Sequence, residues 1–191
     1  MVSAGPGDDL VKIGSGGSSN VIVVGDNFNG GPYGVQLNED ATGLNIADGD
    51  DILQMGNNFG GLVKMYGQGG NDKLIGGVND LIGPAQVEFL FGGSGDDKIW
   101  MVSPENVEVL DNTPGSNFGY GGLGDDSIYG SADGDRLAGD EVLRVPAPTL
   151  LATDLVGGND VIKGYGGADT IDGGFGDDLI FAGSDIDKVY G

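Results

Sequence analysis

Aspartate is the residue type in this chain whose spacing could do chemistry. Doubled acids recur in one glycine setting: Gly92-Gly-Ser-Gly-Asp-Asp97-Lys-Ile-Trp100, Gly121-Gly-Leu-Gly-Asp-Asp126-Ser-Ile-Tyr129 and Gly173-Gly-Phe-Gly-Asp-Asp178-Leu-Ile-Phe181. Paired carboxylates suit either glycoside hydrolysis or the binding of a hard cation through oxygen. Composition removes most other chemistry. The 191 residues include no histidine and no cysteine, which excludes Ser-His-Asp and HExxH constellations, disulfides, thiolate nucleophiles and most structural zinc sites. Thirty acidic side chains against eight basic ones leave a net charge of −22. A nucleic-acid binder needs the opposite sign, and adhesion to anionic lipid is disfavoured for the same reason.

The acids are placed by a nine-residue period, G-G-x-G-x-D-x-U-x, where U is a large aliphatic residue. Near the C-terminus four copies run without a gap, 155–163, 164–172, 173–181 and 182–190. Their sixth places are Asp160, Asp169, Asp178 and Asp187, and their eighth places are Ile162, Ile171, Ile180 and Val189. Residues 121–129 and 130–138 form another uninterrupted pair, with Asp126 and Asp135. Looser copies hold Asp72, Asp51 and Asp9, a shortened copy spans 76–82, and a further segment has Asn20 where the aspartate belongs. Insertions fall at about 24–45, 55–66, 83–91, 101–120 and 139–154. Several alternate apolar residues in the manner of strands: Val87, Phe89 and Phe91; Leu62 with Met65 and Tyr66; Val107 and Val109. The 83–91 segment is itself nine residues long and fits a turn of the same coil without its glycines. Residues 139–154, with Val145-Pro-Ala-Pro148, read as an excursion, because proline lacks the amide a central strand needs.

One repeat has a direct physical reading. Glycines at places one, two and four permit positive φ and close backbone approach. The D-x-U-x that follows is short and extended. Its eighth residue points inward, while the seventh and ninth, among them Lys98, Ser127, Lys163 and Lys188, face solvent. A unit with one large apolar side chain cannot bury itself, so copies must stack into a two-sided coil with a thin aliphatic core. The expected fold is all-β, a parallel β-roll or β-solenoid with loop insertions, forming one domain over residues 1–191. Within it 1–66 is degenerate, 67–138 central and 155–191 regular. Stacking at about 4.8 Å brings successive sixth-place carboxylates together, where they repel by a few kcal/mol at an effective dielectric of about 20. Either their pKa values rise or a cation sits between them. With only carboxylate and carbonyl oxygens on offer, calcium suits the gaps better than octahedral, water-retaining magnesium.

These motifs resemble the RTX, or hemolysin-type calcium-binding, repeats of secreted bacterial proteins, in roughly a dozen copies from end to end. The resemblance implies a β-roll with two nonapeptides per coil, and calcium held by sixth-place aspartates and turn carbonyls of repeats n and n+2. It pairs Asp160 with Asp178 and Asp169 with Asp187. If the excursion returns in phase, it also pairs Asp126 with Asp160 and Asp135 with Asp169. The full set of expected ligands is Asp9, Asp51, Asp72, Asp97, Asp126, Asp135, Asp160, Asp169, Asp178 and Asp187. Asp133 and Asp185 depart from the pattern at the fourth place.

Other residues invite plainer readings. The fifth-place acids are expected to be solvent-facing turn positions rather than catalysts, and Glu39, Glu88, Glu105, Glu108 and Glu141 to be solvated residues of the insertions. Trp100, Tyr129, Phe181 and Tyr190 share the ninth place, where outward aromatics could meet a carbohydrate, a partner or an insertion. Gly14-Ser-Gly-Gly-Ser-Ser19 lacks the lysine and helix of a phosphate loop. The leading expectation is a calcium-binding structural module of a secreted or cell-surface protein, folding on calcium outside the cell after export through a type I channel. It involves no catalysis, nucleic acid or membrane insertion. Alternatives are the repeat portion of a secreted enzyme whose catalytic domain lies elsewhere, or calcium-dependent head-to-tail assembly through uncapped solenoid ends.

Overall fold

The computed structural model describes residues 1–5, 7–15, 20–25, 49–57, 61–78, 87–104, 117–140 and 157–191. Most of the predicted insertions lie outside the described residues. So do Asp80 to Ile82 of the shortened copy, Glu39, Glu105, Glu108, Glu141, the Val107/Val109 alternation and the Val145–Pro148 stretch.

The chain alternates between two parallel sheets, as a coil of nonapeptides must. Odd-numbered strands form the first sheet: β1 (Val2–Ser3), β3 (Val21–Val24), β5 (Leu62–Gly69), β7 (Val87–Ser94), β9 (Phe118–Leu123), β11 (Arg136–Ala138), β13 (Thr170–Asp172) and β15 (Lys188–Tyr190). Even-numbered strands form the second: β2 (Leu10–Lys12), β4 (Ile52–Gln54), β6 (Lys73–Ile75), β8 (Lys98–Trp100), β10 (Ser127–Tyr129), β12 (Val161–Lys163) and β14 (Leu179–Phe181). Every strand pairs in parallel with the one two places on, so the expected parallel β-roll is the observed architecture. Among the described residues there is no α-helix, and no helix long and apolar enough to cross a membrane.

Register is held by the eighth place. Leu53, Leu74, Ile99, Ile128 and Ile162 stack inward from the second sheet, and Val23, Met65, Leu90, Leu137 and Ile171 from the first, each at most 2% exposed. Ile180 is half-buried and Val189 is exposed. Gly119 occupies an eighth place with no side chain at all, and the Met101 side chain reaches into the space it leaves. The alternation in 87–91 is a strand, as expected, but its inward residues are Glu88 and Leu90. Phe89 and Phe91 face outward. The excursion after Asp140 does return in phase: Ser127, Ile128 and Tyr129 pair with Val161, Ile162 and Lys163 across it. A solenoid tolerates a long insertion at a turn provided the next rung resumes its inward aliphatic residue.

The outer faces carry stacked aromatics. Tyr66, Phe91 and Tyr120 form one column, with centroids 4.9 and 5.1 Å apart, and Phe89 with Phe118 another, at 4.5 Å. Trp100 and Tyr129 stack at 5.1 Å on the second sheet. The ninth-place residues do not form one ladder, because successive nonapeptides enter opposite sheets: Tyr190 lies on the other face from Trp100, Tyr129 and Phe181. The rings lie within 3 to 8° of parallel and face one another along the coil. Their π-faces are therefore spent on each other or on cations: Lys73 over Trp100, Lys163 over Tyr129 and Phe181, Lys64 over Phe89, and Arg136 over Phe118.

Candidate metal centre

Two edges join the sheets, and each stacks one class of turn. The first edge leads from odd to even strands. Its sixth places are Asp9, Asp51, Asp72, Asp97, Asp126, Asp160 and Asp178, one directly above another. They are tied by a ladder. The backbone N–H of Asp9 donates to Oδ1 of Asp51, Asp51 to Asp72, Asp72 to Asp97, Asp97 to Asp126, Asp126 to Asp160 and Asp160 to Asp178, over 2.7 to 3.0 Å. The expected Asp126–Asp160 and Asp160–Asp178 neighbours are thus brought together. Asp9 and Asp51, from loose copies, sit in the same column as the rest.

The other carboxylate oxygen faces the gap between turns. Oδ2 of Asp97, Asp126 and Asp160 is buried without a hydrogen-bond partner among the described residues. A Cβ added to first-place Gly92, Gly121 or Gly139 would meet that oxygen of its own turn and the first-place carbonyl of the next, Gly121, Gly139 and Gly173 respectively. First-place glycines are therefore not needed for positive φ, as expected from the sequence, but because side chain and ligand oxygens cannot share the space. Positive φ belongs to the second and fourth places, as at Gly93 (126°) and Gly95 (122°). Gln68, Tyr165 and Asp185 adopt it there without being glycine.

Electrostatics agree with the geometry. Burial is the main cause that pushes Asp97 up to about 9 and Asp126 to about 8, and Asp135, Asp160 and Asp169 to about 7, with neighbouring carboxylates adding to it. A buried carboxylate with an idle oxygen must hold either a proton or a cation. The donor set is two carboxylates per gap plus turn carbonyls. No three acidic side chains converge on one point among the described residues. All-oxygen donors in a flexible cradle fit calcium.

The second edge, from even to odd strands, is mixed. Its sixth places, read off the register, are Val21, Val63, Glu88, Asn117, Asp135, Asp169 and Asp187. Asn20 does not hold the sixth place assigned to it. Val23 is the inward residue of its strand, which puts Val21 in register with Val63, and the Asn20 Oδ1 instead accepts the Leu62 N–H. The ladder recurs where acids or amides return: Glu88 N–H donates to Asn117 Oδ1, Asp135 N–H to Asp169 Oδ1 and Asp169 N–H to Asp187 Oδ1. The pairs Asp135–Asp169 and Asp169–Asp187 therefore meet as expected. Asp135 differs in that its Oδ2 accepts the N–H and hydroxyl of Ser131.

Three features escaped the sequence reading. Glu88 is not a solvated insertion residue. It is 1% exposed, at a sixth place, with Oε1 accepting the Gly77 N–H. Its V-E-F-L-F alternation carries the signal once Leu90 is read as the inward residue. Asp140, in a second place normally held by glycine, is buried at the exit of the excursion. It accepts N–H groups from Gly158, beyond the return, and from Phe175, one turn on. Burial also raises its pKa. The fifth-place residues are exposed as expected, yet ordered. Asp50, Asn71, Asp96, Asp125, Asn159 and Asp177 each donate N–H to the fifth-place side chain one turn earlier, opposite in sense to the sixth-place ladder.

The family model of the RTX calcium-binding nonapeptide repeat matches in four copies, at residues 63–80, 86–100, 111–141 and 156–189, together about half of the chain. No curated protein and no solved structure matches it. With two parallel sheets, glycine turns and sixth-place aspartates in register, the chain belongs to the RTX calcium-binding nonapeptide repeat family.

Proposed function

We propose that this chain is a calcium-dependent folding module of a secreted or cell-surface protein, holding several calcium ions between successive turns. The observation that carries the reading is the stacking of sixth-place carboxylates, with Oδ2 of Asp97, Asp126 and Asp160 on one edge and of Asp169 on the other buried and unbonded among the described residues. The proposed ligands are Asp9, Asp51, Asp72, Asp97, Asp126, Asp160 and Asp178 on one edge and Asp135, Asp169 and Asp187 on the other, with first-place carbonyls completing each gap. Such positions do not exist in an unfolded chain, so binding energy is folding energy. Extracellular calcium modules bind at about 0.1–1 mM. At ten times Kd each ion adds about 1.4 kcal/mol, and a handful together decide whether a chain of this size folds.

In low-calcium cytosol the unneutralised column disfavours the coil, so the chain is export-ready there and winds outside. The reading assigns no catalysis to these residues; turnover of a polysaccharide or peptide panel, abolished by Asp178→Asn, would reverse that. Calorimetric calcium titration with far-UV circular dichroism on the same sample tests the main reading. Several bound ions with a coil-to-β transition are expected. A spectrum unchanged by EGTA removes it.

A further inference from the structure

The two edges do not ask for calcium equally. On the first edge every sixth place is an aspartate. On the second, the rungs preceding Asp135 replace both parts of the ion cradle. First places that should be glycine are Ile13, Met55 and Met101, placed by the N–H bonds of Ile13 to the Gln54 carbonyl, Met55 to Ile75 and Met101 to Tyr129. The sixth places of the same turns are Val21, Val63 and Asn117. Met55, Val63 and Met101 are at most 2% exposed and belong to the continuous core, with Ile13 and Val21 packed against it. The core has grown outward into the space that carboxylate and carbonyl oxygens share elsewhere. One rung between them, Gly76 with Glu88, keeps a carboxylate. It is buried with its Oε2 beside the Met101 carbonyl, and it faces an amide, Asn117, rather than a second acid. At Gly130 and Gly164 the glycine-and-aspartate cradle returns, with Asp135 and Asp169, and the last turn has Ala182 in the first place and Asp187 in the sixth.

We propose that the paired-aspartate calcium sites of the second edge begin at Asp135, that its earlier rungs apart from Gly76–Glu88 are closed by side chains, and that the β4–β9 section therefore winds at lower calcium than β11–β15. The inference rests on the calcium-dependent folding proposed above. Apart from the Glu88 rung, each coil of the β4–β9 section has one column of carboxylates to neutralise, and each coil near the C-terminus has two. Aromatic columns reinforce the difference, since Tyr66–Phe91–Tyr120, Phe89–Phe118 and Trp100–Tyr129 all lie at or before β10. Calcium then acts in two steps: a low concentration winds the middle of the roll, which templates the C-terminal turns, and a higher one locks those turns.

Hydrogen exchange of the full chain, read by mass spectrometry across a calcium titration from EGTA to 10 mM, tests this. Peptides covering 49–57, 61–78 and 87–104 are expected to gain protection at a calcium concentration at least about threefold below that for 161–190. Val63→Asp, which restores an acid to a closed rung, is expected to move the first midpoint up towards the second. Asp169→Val, which removes one near the C-terminus, is expected to lower the second. A single shared midpoint, or earlier protection of 161–190, overturns the inference while leaving calcium-dependent folding intact. Protection that ignores calcium everywhere overturns both. If Val63→Asp fails to fold at any calcium concentration, the wild-type order of midpoints and Asp169→Val still decide.

Discussion

The edges and the outer faces of this roll stack like on like, with opposite consequences. At an edge, Asp97 lies next to Asp126 and Asp126 next to Asp160; beyond the effect of burial, the Asp126 carboxylate raises the pKa of Asp97 and the Asp160 carboxylate that of Asp126. On a face, Phe91 lies between Tyr66 and Tyr120 at about van der Waals spacing, and each neighbour adds attraction. A solenoid enforces the same roughly 4.8 Å repeat on every column. Dispersive groups gain from that spacing unaided. Charged groups tolerate it only with something between them, so the edges become the place where the solution outside the protein decides whether it folds.

The largest effect that would break this contrast is pH in a chelator. The shifted aspartates have folded pKa values of about 7 to 9 against an ordinary value of 3.8. A group raised on folding contributes stability below its unfolded pKa and loses it as pH rises through the folded value. The calcium-free chain should therefore gain β structure as pH falls from about 9 towards 5, a proton standing in for the ion, and be least folded at alkaline pH. Circular dichroism in EGTA across that range checks it; a flat profile would show that the edge charges do not govern folding.

Next is Gly121→Ala. Its Cβ would enter the space shared by the Asp126 Oδ2 and the Gly139 carbonyl, so a loss of about 2–4 kcal/mol in calcium is expected from denaturant unfolding. Asp126→Asn should be smaller and should change sign. In calcium it removes charge from the gaps on either side and weakens each by about tenfold, or about 1.4 kcal/mol. In EGTA it removes repulsion and stabilises. Thermal unfolding in both buffers distinguishes that from plain destabilisation, which would have one sign. Smallest is Phe91→Leu on a face, about 1 kcal/mol from its lost ring contacts with Tyr66, Tyr120 and the more distant Phe89. Its effect should be the same with and without excess calcium, and a calcium-dependent loss would mean the faces and edges are not separable.

Much of this was legible in the sequence, for a reason particular residues make plain. The Gly92 to Trp100 copy already contains its turn, its acid and its inward Ile99, because a nonapeptide unit is local and the coil merely repeats it. Counting gave the copies holding Asp126 to Asp187, the family resemblance implied how their acids pair, and the steps across the excursion depended on its returning in phase. Legibility failed where the unit was split. Val21, Glu88 and Asn117 sit in sixth places, but insertions separate them from the first places Ile13, Gly76 and Met101, so none keeps the five-residue step that joins Gly92 to Asp97. Asn20 was given a place one residue too early for the same reason. Ring columns were hidden too, because contacts between Phe91 and Tyr120 span two strand crossings and depend on which sheet each turn enters.

Sequence by itself determined the repeat, its inward aliphatic residue, the all-oxygen donor set and hence the family of ion. Tertiary structure decided which carboxylates share a column, since alternate turns go to opposite edges. It also decided that one edge is acidic throughout while the other is filled for half its length by Met55, Val63 and Met101. The division has a physical cause: a side chain's chemistry is local, but whether a carboxylate meets another carboxylate or a methionine is settled only when rungs far apart in sequence come to rest about 4.8 Å apart.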